Sequence, residues 1–411
     1  MKSRYISLFF FLAIVSSALA QKSISSANDN VFGHHEINPS DLAKPFVTPS
    51  ANNGPQVAPR PAGALLHTLP GFHIELWAEG EMDRPRRMIQ APNGDVLVTD
   101  SGDGKVLIFR DTKHAGKPDQ RFVFASGLTM PFGLALHEGY LYVGDTNAVV
   151  RFRYQPGQTQ AQGAPEKVTD LPGRGYHEHW TRNVLFSPDG KKMLVTVGSE
   201  SNVSPGEDPM RAAISEYNPD GSGHRFYATG TRNPIGIAFY PGTNTLWAVV
   251  QERDGLGDDL PSDYFTHIQD GGFYGWPYAY IGPHPEPRNP GHQEMVKKTI
   301  TPDLLFQAHS AAMEAIFYKG KMFPKDFQGD ALVTLRGSWN RSRRTGYKIV
   351  RVKFRNGKPA GGYDDFVTGW MTDPSGDTVW GRPVGLLELQ DGSVLMSEDG
   401  NNTIWRITYS K

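Results

Sequence analysis

One pattern returns six times along this chain: a turn, a run of β-forming residues, a polar loop and a second strand. It covers residues 95–100 with 105–110, 140–145 with 149–152, 192–197, 245–250, 331–335 with 348–352, and 393–397 with 403–407. Short runs of Val, Ile, Leu, Thr and aromatic residues bounded by Gly, Asp and Asn are strand and turn material. Repetition at roughly 40–50 residues is what a β-propeller needs, because each blade buries its faces only against its neighbours. The expected fold is therefore all-β, a six-bladed β-propeller. Residues 72–78 alternate apolar and polar ahead of the first unit, and as a lone strand they would complete the last blade and close the ring. The spacing stretches over residues 256–325, where long insertions are expected to build a rim or a site.

Composition supports many short strands: 411 residues include 45 Gly, 31 Pro, 22 Phe, 16 Tyr and 8 Trp. With a net charge of −1, nothing points to a nucleic-acid polyanion as partner, and none is expected. With no Cys, stability must come from a large core rather than disulfides, and no haem can be attached through a Cys-x-x-Cys-His motif. Residues 1–20 read as an export signal, with Lys2 and Arg4, an apolar stretch over 6–15 and Ala18-Leu19-Ala20 before the cleavage point. That stretch is shorter than the about 20 residues a membrane span needs, so no integral span is expected after its removal and the mature protein is expected to be periplasmic or secreted. Residues 21–62 form a low-complexity arm that says little about function, and His34-His35 within it read as exposed imidazoles rather than a metal pair. Residues 63–411 form the propeller domain.

In a propeller, loops at one end converge on the axis and bring distant residues together. Several inner strands are preceded by a polar or Pro loop, and four of these loops carry His or Arg: His179, Arg232-Asn233, His309-Ser310 and Arg382. An imidazole that accepts a proton, beside a guanidinium and a carboxamide that hold an oxygen-rich anion, suggests a redox cofactor site. His177, two residues from His179, is a rival base, a His-Glu-His metal reading is open, and His179 could also be a buried structural imidazole.

These loops lie within stretches that resemble the soluble pyrroloquinoline quinone (PQQ)-dependent sugar dehydrogenases, in particular the glucose/sorbosone dehydrogenase branch. The resemblance runs from about Gly71 to Tyr409. It rests on Gly71-Phe72, His179-Trp180-Thr181-Arg182, Phe186-Ser187-Pro188-Asp189-Gly190, Ala228-Thr229-Gly230-Thr231-Arg232-Asn233-Pro234, Glu252-Arg253-Asp254-Gly255-Leu256-Gly257-Asp258-Asp259, Gly271-Gly272-Phe273-Tyr274-Gly275-Trp276-Pro277, Gly337-Ser338-Trp339-Asn340-Arg341 and Gly381-Arg382-Pro383, in that order.

The resemblance implies a six-bladed propeller and a catalytic His nine residues before a Pro-Asp turn, which falls on His179. It places the cofactor's carboxylates and quinone against Arg232, Asn233, Ser310 and Arg382, with Arg341 favoured over Arg336 for the position where relatives carry Lys. Arg232 would also stabilise the oxygen that gains negative charge. Ca²⁺ would accompany the cofactor, with Glu252, Asp258 and Asp259 as hard oxygen donors. The Gln-Gly-Pro turn of relatives is replaced here by Glu252-Arg253-Asp254-Gly255. Where relatives orient the base with Asp, this chain has Ser199, which leaves Glu200, Glu178 or another group for that task. The expected activity is oxidation of a sugar or sugar-derived alcohol or aldehyde, with electrons passing to a c-type cytochrome or a quinone. A non-catalytic binding propeller and a Ca²⁺-dependent lactonase are the alternatives, and the His and Arg of the inner loops argue against the lactonase.

Overall fold

The computed structural model describes residues 32–173 and 179–411. The proposed leader, His177 and Glu178 lie outside them. Among the described residues no helix is long and apolar enough to cross a membrane.

The six repeats are six antiparallel blades arranged in a ring. Blade 1 is Pro85–Gln90, Val96–Asp100, Lys105–Arg110 and Gln120–Ala125, from the axis outward. Blade 2 runs from Leu134–His137 to Glu166–Asp170, and blade 3 from Val184–Phe186 to Arg225–Thr229. Blade 4 comprises Asn233–Phe239, Leu246–Gln251, Ser262–Ile268 and Leu304–Ala308. Blade 5 starts at Ala312–Phe317 and ends at Tyr363–Thr368. Blade 6 has three strands from the carboxyl-terminal end, Pro383–Glu388, Val394–Glu398 and Thr403–Tyr409, and takes its outermost strand from Phe72–Ala78. The ring closes as the pattern predicts, with Tyr409 opposite Phe72 and Ile404 opposite Ala78. Second strands such as Val96–Asp100, Met193–Val197 and Ala331–Leu335 are buried at every position, which explains their continuous apolar and Thr content.

The inner strands are knitted together at a recurring bulge. In blades 1, 5 and 6 the bulged amide of Arg87, Glu314 or Gly385 donates to the hydroxyl of Thr99, Thr334 or Ser397. Each hydroxyl then donates to a carbonyl of the next blade, at Phe132, Val384 and Arg86. In blade 3 Thr196 accepts from the Asn183 amide, and the Asn183 carboxamide itself reaches the Ile235 carbonyl at 2.9 Å. Blades 2, 4 and 6 carry Gly133, Gly236 and Gly385 at the position where blades 1, 3 and 5 carry Arg87, Asn183 and Glu314. A Cβ at Gly133 would meet the Arg182 carbonyl at 2.6 Å, and one at Gly236 would meet the Glu314 Cα at 2.7 Å. Only glycine lets the neighbouring inner strand pass so close. Arg87 and Glu314 then pair across the interior. Phe132, Ile235, Met313 and Val384, with Trp180 packed on them, form an apolar plug contributed by four blades.

Two features depart from the linear reading. The stretched insertion, residues 269–303, folds back on blade 3: Gly272–Phe273 pairs in parallel with its outer strand, and the Trp276 indole donates to the Asn202 carbonyl at 2.9 Å. The arm is also built into the structure. His34–His35 pairs with the outer strand of blade 5, as does His67–Thr68 just after the arm, while Gln56–Val57 pairs with Thr378–Val379. His34 and His35 bond Asp364 at 2.7 Å and Asp365 at 3.0 Å, so they are not free imidazoles. The cause is long-range pairing with edges that short sequence patterns do not reveal.

Candidate active site

His179 stands just before the inner strand of blade 3, and its Nδ1 lies 2.9 Å from the Ser199 carbonyl and 3.1 Å from the Ser199 hydroxyl. A carbonyl only accepts, and that hydroxyl donates its own proton to the Ser201 carbonyl at 2.7 Å. Nδ1 must therefore carry the hydrogen, which leaves the lone pair on Nε2. Burial first, and then the Arg232 guanidinium, hold the imidazole well below its ordinary value of 6.5. His179 is thus neutral near pH 7, with one defined basic nitrogen. Ser199, at the position where the resemblance implies an Asp, holds His179 Nδ1 largely through its backbone carbonyl, a contact that side-chain identity could not signal.

The turn that carries His179 is pinned from behind. The fully buried Arg182 guanidinium donates to the carbonyls of His179, Thr181, Thr146 and Pro172 at 2.8–3.1 Å. Gly198 lets the turn approach, since a Cβ there would sit 2.5 Å from the His179 Cβ.

Arg232 and Asn233 open the inner strand of blade 4, and both are buried. Arg232 is held by the Asn202 carbonyl and carboxamide oxygens at 3.1 Å each, the Glu252 carbonyl at 2.6 Å and Asp254 at 3.1 Å. Asn233 donates to Gln251 at 3.0 Å, and its Oδ1 is buried without a protein partner. Asn202 and Gln251 escaped the sequence reading because a lone amide side chain carries no spacing signature, and Asp254 stood out only as part of the 252–255 turn.

A second cationic group lies beyond Trp180. Arg86 stacks its guanidinium over the Trp180 ring at 5.1 Å and pairs with Asp399. Arg336 also bonds Asp399, through Nε at 3.0 and 3.1 Å and Nη2 at 2.9 Å. Arg382 approaches the same loop, donating to the Gly337 carbonyl at 3.1 Å. Two guanidiniums thus share one carboxylate, with Arg382 close enough to feel its charge. Burial would raise the Asp399 carboxyl, but Arg336, Arg86 and Arg382 hold it well below the usual range. Burial, together with crowding by the other guanidiniums, pushes Arg86 down to about 9 and Arg382 to about 10, against the pull of Asp399. The excess positive charge, with Arg86 Nε buried and unpartnered, suits a polyanionic ligand.

Of the two residues weighed for the fifth blade, the structure brings Arg336 to this group. Arg341 instead turns outward to Asp259, 2.5 Å away. Ser310 is fully buried behind Gly337, its hydroxyl donating to the Gln307 carbonyl at 2.7 Å. It sits between His309 and Ala311, both in the left-handed backbone region.

The carboxylates expected to hold Ca²⁺ are not gathered. Asp258 accepts from the Ser342 amide and hydroxyl, Asp259 pairs with Arg341, and Glu252 is buried with one oxygen on the Arg253 amide. Burial pushes the Glu252 carboxyl up to about 7. Among the described residues no group of three or more His, Asp or Glu side chains converges as a metal site would require. The residues fall in one acidic loop, but their side chains leave it in different directions.

The TrAA12-like family model matches residues 66–263 and 286–410. A Borreliella burgdorferi protein described as uncharacterized is 26% identical over 354 residues, covering 83% of this chain and 90% of its own. Among solved structures, a Trichoderma reesei carbohydrate-active enzyme of family AA12 superposes with a TM-score of 0.72 at 22% identity, over 87% of this chain and all of the other. The PQQ domain of a Coprinopsis cinerea pyranose dehydrogenase gives 0.71 at 20%, over 85% and 98%. A PQQ-bound aldose sugar dehydrogenase from Streptomyces coelicolor gives 0.59 at 18%, over 86% and 100%. These likenesses establish the propeller shared with such enzymes, and the extent of the family match makes this chain a member of the TrAA12-like family.

Proposed function

We propose that this protein is a PQQ-dependent dehydrogenase that oxidises a sugar or sugar-derived alcohol or aldehyde. The observation that carries the proposal is a neutral His179 with its basic Nε2 fixed by Ser199, set beside Arg232. The donor set fits a cofactor with three carboxylates and a quinone: surplus guanidiniums around Asp399, an unpartnered Arg86 Nε, and a buried Asn233 carboxamide with a free oxygen. Arg86, Arg336 and Arg382 would take carboxylates, with Arg232 and Asn233 toward the quinone. When bound, PQQ supplies a carbonyl carbon that accepts hydride. His179 Nε2 takes the substrate hydroxyl proton, and the Ser199 carbonyl stabilises the imidazolium that forms. Arg232 stabilises negative charge developing on oxygen, and its bonds to Asn202, Glu252 and Asp254 remove the need to reorganise during the reaction.

No step is assigned to Ca²⁺, because Glu252, Asp258 and Asp259 do not form a site for it. The family resemblance and the structural likeness to pyranose and aldose sugar dehydrogenases support a carbohydrate substrate. We assign export to residues 1–20 and electron delivery to an external acceptor, a c-type cytochrome or a quinone. The test is spectral titration of the purified protein with PQQ, followed by substrate-driven reduction in wild type and His179→Ala. Binding should persist in the variant while turnover falls by about 10²–10⁴. Failure of the wild type to bind PQQ would favour a binding propeller, and near-normal turnover in His179→Ala would remove His179 as base.

A further inference from the structure

The arm crosses the loops that carry the candidate site. The Phe46 amide donates to the Leu256 carbonyl at 2.6 Å, and the Asp258 amide donates to Thr48 Oγ1 at 2.9 Å. The Asn53 amide donates to the Trp339 carbonyl at 2.7 Å, and its carboxamide donates to the Arg341 and Ser342 carbonyls at 3.1 Å each. Arg344 returns a bond to Asn53 Oδ1 at 2.9 Å.

From these loops the bonding continues inward. Asn340, next to Trp339, donates one amide hydrogen to Asp254 and the other to His309 Nδ1, 3.0 Å away. His309 Nε2 donates to the Gly257 carbonyl at 2.9 Å, which ties the 252–259 loop to the same group. The other oxygen of Asp254 accepts from Arg232. Asn340 and His309 are buried, so they have little competing water. A continuous path thus leads from the Asn53 carboxamide, on the Arg341 carbonyl, through the adjacent Asn340 and Asp254 to Arg232.

We propose that Thr48 and Asn53 are positioning residues for the reaction, the outer end of a hydrogen-bonded chain that fixes the Arg232 guanidinium. The inference rests on the role given to Arg232 above. An arm that only added stability would change melting without changing the rate of the chemical step. An arm that orients Arg232 changes the rate at saturating substrate, because preorganised charge acts on the transition state.

The experiment compares Asn53→Ala, Thr48→Val and the conservative Thr48→Ser with wild type. Hydrogen exchange of the cofactor-free proteins should be roughly two- to tenfold faster for amides in 254–258 and 338–345 in the first two variants, with blade strands unchanged. Single-turnover reduction of bound PQQ should slow by about tenfold or more with substrate KM little altered. Thr48→Ser should restore both. Wild-type exchange in these loops, or a wild-type rate despite loosened loops, overturns the proposal. If Asn53→Ala misfolds, the Thr48 pair decides alone. Should wild type itself fail to reduce PQQ, the dehydrogenase reading falls, and the exchange data still decide whether the arm holds the loops beside Arg232.

Discussion

Gly198→Ala is the sharpest probe of how His179 is seated. The glycine does not need a left-handed backbone here, so alanine meets no local conformational penalty, and any effect comes from the added methyl group. That methyl would lie 2.5 Å from the His179 Cβ and 3.0 Å from its Cγ, and would also collide with Asn233 Oδ1. Ordinary carbon contacts begin near 3.4 Å, so about 0.9 Å of movement is required. The 179–183 turn is anchored by four Arg182 hydrogen bonds, and Asn233 is fixed by Gln251, so neither yields freely. Overpacking of this kind costs about 1–3 kcal/mol of stability. A displacement near 1 Å in a reacting group costs about a hundredfold in rate. The expected outcome is a folded protein with a modestly lowered Tm and a kcat reduced by about two orders of magnitude, measured by substrate-driven PQQ reduction. If Asn233 yields instead, PQQ affinity falls as well, and titration would show it. A kcat within about threefold of wild type, in a protein whose Tm has dropped as expected, would refute the seating of His179 described above.

Three further outcomes are expected. Burial and Arg232 depress the His179 pKa, so kcat/KM should stay level as pH falls through 6.5 and decline only at distinctly lower pH, and an acid limb at or above 6.5 in the pH–rate profile would contradict this. The same group favours the unfolded state as pH drops below 6.5, because the unfolded imidazole gains a proton that the folded one refuses, so its contribution to stability is full above 6.5 and shrinks on acidification. Asp258→Asn should loosen the 337–344 loop, seen as faster proteolysis at Arg341 or Arg343, while leaving Ca²⁺ affinity by calorimetry unchanged; a loss of Ca²⁺ binding would instead restore Asp258 as a ligand.

The blades were legible because a buried strand imposes a local composition, and six such runs at regular spacing leave little choice of architecture. Ring closure by residues 72–78 was legible for the same reason, as one strand had no partner in its own unit. His179, Arg232 and Arg382 were visible because each stands in a loop before an inner strand. What escaped was set by side-chain direction and by contacts between remote segments. Nothing local distinguishes Arg336 from Arg341, yet one meets Asp399 and the other Asp259. Arg86 reads as one of two adjacent arginines, and only the fold shows that Arg86 lies over Trp180 while Arg87 pairs with Glu314. The arm has no hydrophobic period because its order comes from backbone bonds to loops nearly 300 residues away.

The joining of Phe72–Ala78 to Thr403–Tyr409 has a kinetic consequence. These strands are about 330 residues apart, so the loop they close is nearly the whole domain. During synthesis five blades can form while the sixth waits for the last residues to emerge, and until then the first strand presents an open edge. The final pairing arrives together with the Ser397 bond to the Arg86 carbonyl, which fastens blade 6 to blade 1 at the axis. The chain therefore completes its rim and its axis in one late event. Arg86 and Asp399, from opposite sides of that seam, meet only when it shuts, so the cationic pocket does not exist in any shorter, unclosed form of the chain.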